Sequence, residues 1–212
     1  MHNHFDQYLN LKSLILDRQP QTVVECGAGN GDLTRKLATL LDIYPFDLYV
    51  ISDKKLDGLD ERIKWITGLS YKILEPFDKP IDFCIIDTDH NYWTLMKEFA
   101  AVMNKVPEGG VVALHDVETF YHDTGMALSY WNGEEYPKEE IEKWSKYGSL
   151  GDALIRFLNA HPFQWKLMGY NKESNGAAVI EKRTQNIFSV LTPGPKAVFA
   201  ENSLENKLVE VA

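Results

Sequence analysis

The chain has 212 residues, 44% hydrophobic and 25% charged, with a formal net charge of −9. This suits one globular α/β domain with some decoration, and the acidity argues against a nucleic-acid surface, which needs clustered Lys and Arg. No apolar run approaches the roughly 20 residues of a membrane span, and Met1 to Asn10 shows no apolar core of a secretion signal.

The predicted elements alternate. A helix is expected over Phe5 to Leu16, ending before Gln19-Pro20. Val23 to Cys26 reads as the first strand, Leu33 to Leu41 as a helix, and Asp47 to Ser52 as the second strand. Ile63 to Thr67 and Phe83 to Asp87 are the next two strands. Tyr92 to Val106 is the clearest helix, because Leu95, Phe99, Val102, Met103 and Val106 share one face. Pro107-Glu108-Gly109-Gly110 stops it, and Val111 to Leu114 is a fifth strand. Leu150 to Asn159 is helical. Phe163 to Tyr170 and Ala177 to Glu181 are two strands joined by a polar turn.

Short apolar strands separated by helices imply a parallel sheet covered on both faces. The closing pair has only a turn between its members, too short for a crossover, so one of the two runs antiparallel. The expected fold is a doubly wound, Rossmann-like α/β sheet of seven strands, mostly parallel, with the last strand antiparallel. An N-terminal helix occupies 1–20, a main domain 21–182, and an extension 183–212. Within the domain, 118–149 is an aromatic-rich insertion carrying Phe120, Tyr121, Tyr130, Trp131, Tyr136, Trp144 and Tyr147. It follows the fifth strand, which would put it over the site as a substrate cover or as a contact with a second copy. Cys26 and Cys84 lie in apolar strand-like runs and read as reduced core thiols, which fits a cytoplasmic setting.

Two motifs carry chemistry. The first is Glu25-Cys26-Gly27-Ala28-Gly29-Asn30-Gly31, a strand turning into a helix through bare backbone. Glycine permits the dihedrals and lets a nucleoside approach closely. The dinucleotide fingerprint needs Gly-x-Gly-x-x-Gly, and here the third glycine comes one residue early. Asp53, at the end of the second strand, can accept from both ribose hydroxyls. The second motif is Ile86-Asp87-Thr88-Asp89-His90 together with Leu114-His115-Asp116-Val117. In an open parallel sheet these strand ends face the same crevice as the glycine turn.

Glu-x-Gly-x-Gly-x-Gly resembles the class I methyltransferases that use S-adenosylmethionine, and the resemblance runs from about Thr22 to Glu181. Ile-Asp-x-Asp-His, an aromatic-bearing helix, Pro-x-Gly-Gly and a strand ending His-Asp are similar to small-molecule O-methyltransferases related to cephalosporin-biosynthesis and macrolide-sugar enzymes. The likeness to catechol O-methyltransferases is more distant. The resemblance implies methyl transfer to a hydroxyl of a small molecule or sugar. It implies that Glu25, Gly27, Gly29, Gly31, Asp53, Gly68, Ser70 and Asp87 hold S-adenosylmethionine, with the adenine near Gly68-Leu69-Ser70. It implies a divalent metal on Asp87, His115 and Asp116, and a basic residue at His90, with His90 and Asp87 catalytic. A histidine in that ligand set suits Mn, Fe or Zn at least as well as Mg. The implied partners are a small-molecule acceptor and, through the insertion or the extension, a second copy; neither nucleic acid nor membrane is implied. Two rivals stay open: an NAD-dependent oxidoreductase, and a non-catalytic member of the fold.

Overall fold

The structure, a computed structural model, describes residues 10–118, 139, 148–172 and 175–184. The start of the N-terminal helix, the seven aromatics of the insertion and nearly all of the extension lie outside the described residues.

The elements are α1 (Leu11–Arg18), β1 (Thr22–Cys26), α2 (Asp32–Leu40), β2 (Asp47–Ser52), β3 (Lys64–Thr67), α3 (Ser70–Leu74), β4 (Phe83–Ile86), α4 (Tyr92–Val102), β5 (Val111–His115), α5 (Leu150–Ala160), β6 (Trp165–Asn171) and β7 (Ala177–Lys182). The seven strands order as β3-β2-β1-β4-β5-β7-β6. The first five are parallel, and β7 runs antiparallel to both β5 and β6. The tight turn before Ala177, with Asn175 and Gly176 at positive φ, returns the chain beside β6 and slots β7 inside the edge.

Side-chain alternation makes two cores, one on each face of the sheet. Val24, Cys26, Cys84, Ile86, Val112 and Leu114 point to the face covered by α4 and α5. There Phe99 stacks on Phe157 at 4.2 Å, and Phe157 meets Trp165 edge-on at 5.4 Å. Val23, Phe83, Ile85, Val111 and Ala113 point to the other face, covered by Leu11 and Ile15 of α1 and by Leu33, Leu37 and Leu40 of α2. Strand β1 is buried along its whole length, which explains its near-continuous apolar sequence.

Two expectations about elements need correction. The helix predicted to reach Val106 ends at Val102, and the chain leaves through a turn while Val106 stays buried. The short helix α3 stands where the sequence suggests only a turn after the third strand. Five residues are too few to display a helical period.

Candidate functional site

The strand β1 ends against β4, and this contact explains its first glycine. A Cβ on Gly27 would sit 1.9 Å from the Asp87 carbonyl oxygen, and the residue has φ 87°. Gly31 caps α2 at φ 84°, where a Cβ would lie 2.8 Å from Leu56 Cδ1. Gly29 differs: φ is 52°, and nothing lies within 4 Å of where its Cβ would be. Its bare backbone faces open space.

That space is a cleft of about 640 Å³ above the ends of β1, β2, β3 and β4. Of the residues assigned to the cofactor from sequence, Gly27, Gly29, Asp53, Gly68, Ser70 and Asp87 line it. Glu25 and Gly31 do not. Ser52 joins the parts: its hydroxyl donates to Asp53 Oδ1 at 3.2 Å and accepts from the Ala28 amide at 3.4 Å.

Glu25 lies under the turn, fully buried. By strand alternation it shares the face of Val23, on the α1–α2 side of the sheet. Among the described residues neither of its carboxyl oxygens has a hydrogen-bond partner. Burial pushes its pKa up to about 8, against the Thr34 hydroxyl, which lies near the carboxyl but outside hydrogen-bond geometry, and the charge of Asp87 acts in the same direction as burial.

At the β4 and β5 ends, four charged groups converge. His90 Nε2 stands 2.6 Å from Asp116 Oδ2 and 3.9 Å from Asp87 Oδ1. His115 Nδ1 stands 3.1 Å from Asp87 Oδ1 and 3.2 Å from Asp116 Oδ2. Burial disfavours both imidazolium forms, but the two carboxylates outweigh it. They raise His90 to about 9 and His115 to about 10. The same contacts hold Asp87 and Asp116 below the usual carboxylate range against the opposing effect of burial. Asp116 has φ 57°, an uncommon conformation for a side-chain-bearing residue. Beyond it Val117 is fully buried and the Glu118 amide donates to the Asn175 carbonyl at 2.7 Å. Asp116 Oδ1 is buried and has no hydrogen-bond partner among the described residues.

Donor atoms of Asp87, His90 and Asp116 lie within 4.8 Å of one another, close enough to share one metal ion. The metal set expected from the sequence is Asp87, His115 and Asp116. The geometry also brings in His90, with His115 bonded to the same two carboxylates.

Comparison with known proteins shows what this arrangement is similar to. Residues 24–117 match the family model described as a methyltransferase domain. This region is similar to a methyltransferase domain. It holds the glycine turn, the cleft and the charged cluster.

Solved structures of similar fold include an O-methyltransferase from Bacillus cereus in complex with SAH, at 17% identity and TM-score 0.56, covering 82% of this chain and 79% of that one. They include the O-methyltransferase TomG from Streptomyces achromogenes in complex with SAM, at 15% identity and TM-score 0.54, covering 82% and 78%. MycE, from the mycinamycin biosynthetic pathway, in complex with Mg and SAH, matches at 23% identity and TM-score 0.57. That match covers 88% of this chain and 51% of MycE, so the chain spans about half of MycE's length. No curated protein matches the sequence.

The same region also holds polar residues to which the sequence assigned no role. Asn30, Lys54, Thr88 and Asp89 line the cleft, and Glu98 lies buried beside it. Burial lifts Asp89 to about 6, while His90 and the Thr94 hydroxyl act against that rise. A signal for Glu98 was present. It falls three residues after Leu95 and four before Val102, on the apolar face of α4, where a carboxyl needs a reason.

Proposed function

We propose that the protein transfers the methyl group of S-adenosylmethionine to a hydroxyl oxygen of a small molecule, with sugar and natural-product hydroxyls as the acceptor class. One observation carries this reading. Asp87 belongs both to the cleft that opens on Gly29 and to the charged cluster, so a nucleoside in the cleft would have the cluster beside it. Charge supports it as well. Among the described residues Asp53, Asp87 and Asp89 line the cleft against one ammonium, Lys54. Such a wall favours a cationic sulfonium and repels a pyrophosphate, so the nicotinamide alternative is not favoured. MycE, which shares the fold, has been solved with Mg, SAH and mycinamycin VI.

Methyl transfer is an in-line displacement, so holding donor and acceptor in line supplies most of the gain, up to roughly 7–11 kcal/mol. The acceptor hydroxyl must also lose a proton. His90 is the proposed base, with Asp87 orienting it. An imidazolium has no lone pair, however, and Asp116 keeps His90 protonated in this arrangement. His90 therefore accepts the hydroxyl proton only after releasing its own to solvent, and the carboxylates of Asp87 and Asp116 set how readily it does so. The site also fits a divalent cation with His90 kept as the base: Asp87, His115 and Asp116 would hold it, and among the described residues Asp116 Oδ1 is buried without a hydrogen-bond partner. A divalent ion, if bound there, would supply positive charge that lowers the pKa of an acceptor hydroxyl. The mixed oxygen and nitrogen donors suit Mn, Fe or Zn as well as Mg.

We place the protein in the cytoplasm, acting on a small molecule and not on nucleic acid or membrane, with any homo-oligomer contact through the insertion or the extension. Among the described residues no helix is long and apolar enough to cross a membrane. The test is calorimetric titration with S-adenosylmethionine, S-adenosylhomocysteine and NAD, with and without Mg²⁺ or Mn²⁺. Both sulfur nucleosides should bind, the divalent ion should bind, and NAD should not. Binding of NAD alone would end the proposal.

A further inference from the structure

Glu98 has no part in the chemistry above, yet it is completely buried in the middle of α4. A leucine there would continue the apolar face at no electrostatic cost. The carboxyl instead binds two hydroxyls. Its Oε1 accepts a short hydrogen bond from Ser70 Oγ and one of 2.8 Å from Thr88 Oγ1. Its Oε2 has no partner among the described residues. Ser70 begins α3 and Thr88 follows β4, and both line the cleft.

A hydroxyl has one proton to donate and two lone pairs that accept. Ser70 and Thr88 each direct that proton to Glu98. Toward the cleft, their oxygens can then only accept. Burial pushes Glu98 up to about 8, against the two hydroxyl bonds, which stabilise its charged form. Protonation leaves the polarity unchanged, because Oε1 still accepts from both hydroxyls when the proton sits on Oε2.

Within the proposed cofactor reading, on which this inference rests, the position of these hydroxyls in the sheet says what they meet. The charged cluster at β4 and β5 marks the reacting end. Asp53, at the end of β2, is placed for the ribose. Ser70 follows β3, the border strand farthest from β5 on that side of the sheet, so it stands at the base end, and Thr88, although it follows β4 beside Asp87, is joined to it through the shared Glu98 Oε1. We propose that Glu98 is a specificity-determining residue: by fixing the hydroxyl protons of Ser70 and Thr88 inward, it makes the base end of the cleft accept from the 6-amino group of adenine and reject a 6-oxo purine.

The test is calorimetric titration of the full chain with S-adenosylhomocysteine and with S-inosylhomocysteine, which differ at that one group. The wild type should prefer the adenosyl compound by at least about tenfold, since a 6-oxo group would face acceptors with no proton between them. In Glu98→Leu the hydroxyls are free to turn outward, and the preference should fall toward about one. Glu98→Gln keeps an accepting oxygen and should retain most of it. A carboxyl that only held the fold together would, on removal, weaken both ligands alike and leave their ratio unchanged. If Glu98→Leu does not melt cooperatively, Thr88→Val and Ser70→Ala carry the test, and each should lower the ratio. A wild-type ratio near one, or a ratio unchanged in these variants, overturns the inference. Failure of the wild type to bind either compound removes the cofactor reading, and this inference with it.

Discussion

The two ends of the cleft are built from different materials. At the β1–α2 turn the site is backbone: Gly27 is pressed against the Asp87 carbonyl, Gly29 faces empty space, and one carboxylate, Asp53, stands by. At the tips of β4 and β5 the site is charge: two imidazoles and two carboxylates within hydrogen-bonding distance of one another. A backbone surface recognises shape and tolerates little added volume. A charged cluster tolerates volume changes better but depends on its electrical balance. Substitutions at the two ends should therefore fail in different ways.

The largest effect is expected at the charged end. Asp116→Asn removes a carboxylate charge that both imidazoles share, and it should weaken Mn²⁺ binding at least about 100-fold. Affinity for S-adenosylhomocysteine should stay within roughly threefold, because the backbone end is untouched. Parallel titrations of ion and nucleoside check this, and equal losses in both would erase the distinction between the ends. Next comes Gly27→Ala. The new Cβ has no room beside Asp87, and the positive φ adds strain, so a loss of at least about 3 kcal/mol is expected in denaturant melts. Gly29→Ala has open space and should cost only about 1 kcal/mol. Similar costs for the two glycines would mean that shape is not what separates them.

Asp53→Asn is intermediate. Loss of a charged acceptor should weaken S-adenosylhomocysteine by roughly 10- to 100-fold without changing ion binding, as calorimetry would show. An effect of another kind, read only as a pH dependence, belongs to Glu25, which lies under the backbone end. Its folded pKa of about 8 stands above the ordinary 4.5, so the folded state holds the proton more tightly than the unfolded chain does. Its contribution to stability is thus fully present below about 4.5 and is lost as pH rises toward 8. Melting temperatures of the wild type should fall relative to Glu25→Gln between pH 5 and 8. Parallel curves would show that this carboxyl is solvated.

The contrast between the ends also explains how far each was legible in the sequence. The glycine turn lies within seven consecutive residues, and its geometry is local, so its strand, bend and helix are all legible there. Strand β2 has the limits its sequence predicts, because an apolar run ended by turn residues is a local signal too. The placement of Glu25 is not legible. A sequence brings it next to the turn, but only the pleat decides which face its carboxyl takes, and the pleat puts it on the face of Val23 rather than in the cleft. Likewise, the pairing of His90 with Asp116 joins residues on neighbouring strand tips, and no spacing along the chain gives their distance.

The sequence by itself determined the alternating order of elements, the doubly wound sheet with its reversed last strand, and the nucleoside-accepting bend, because each follows from local periodicity and from what glycine permits. Tertiary structure alone decided that both histidines stand against carboxylates, that Glu98 reaches two cleft hydroxyls, and that Glu25 stays beneath the floor. The reason is physical: burial and through-space charge depend on which strands become neighbours, and that is settled only when the two cores close on the sheet.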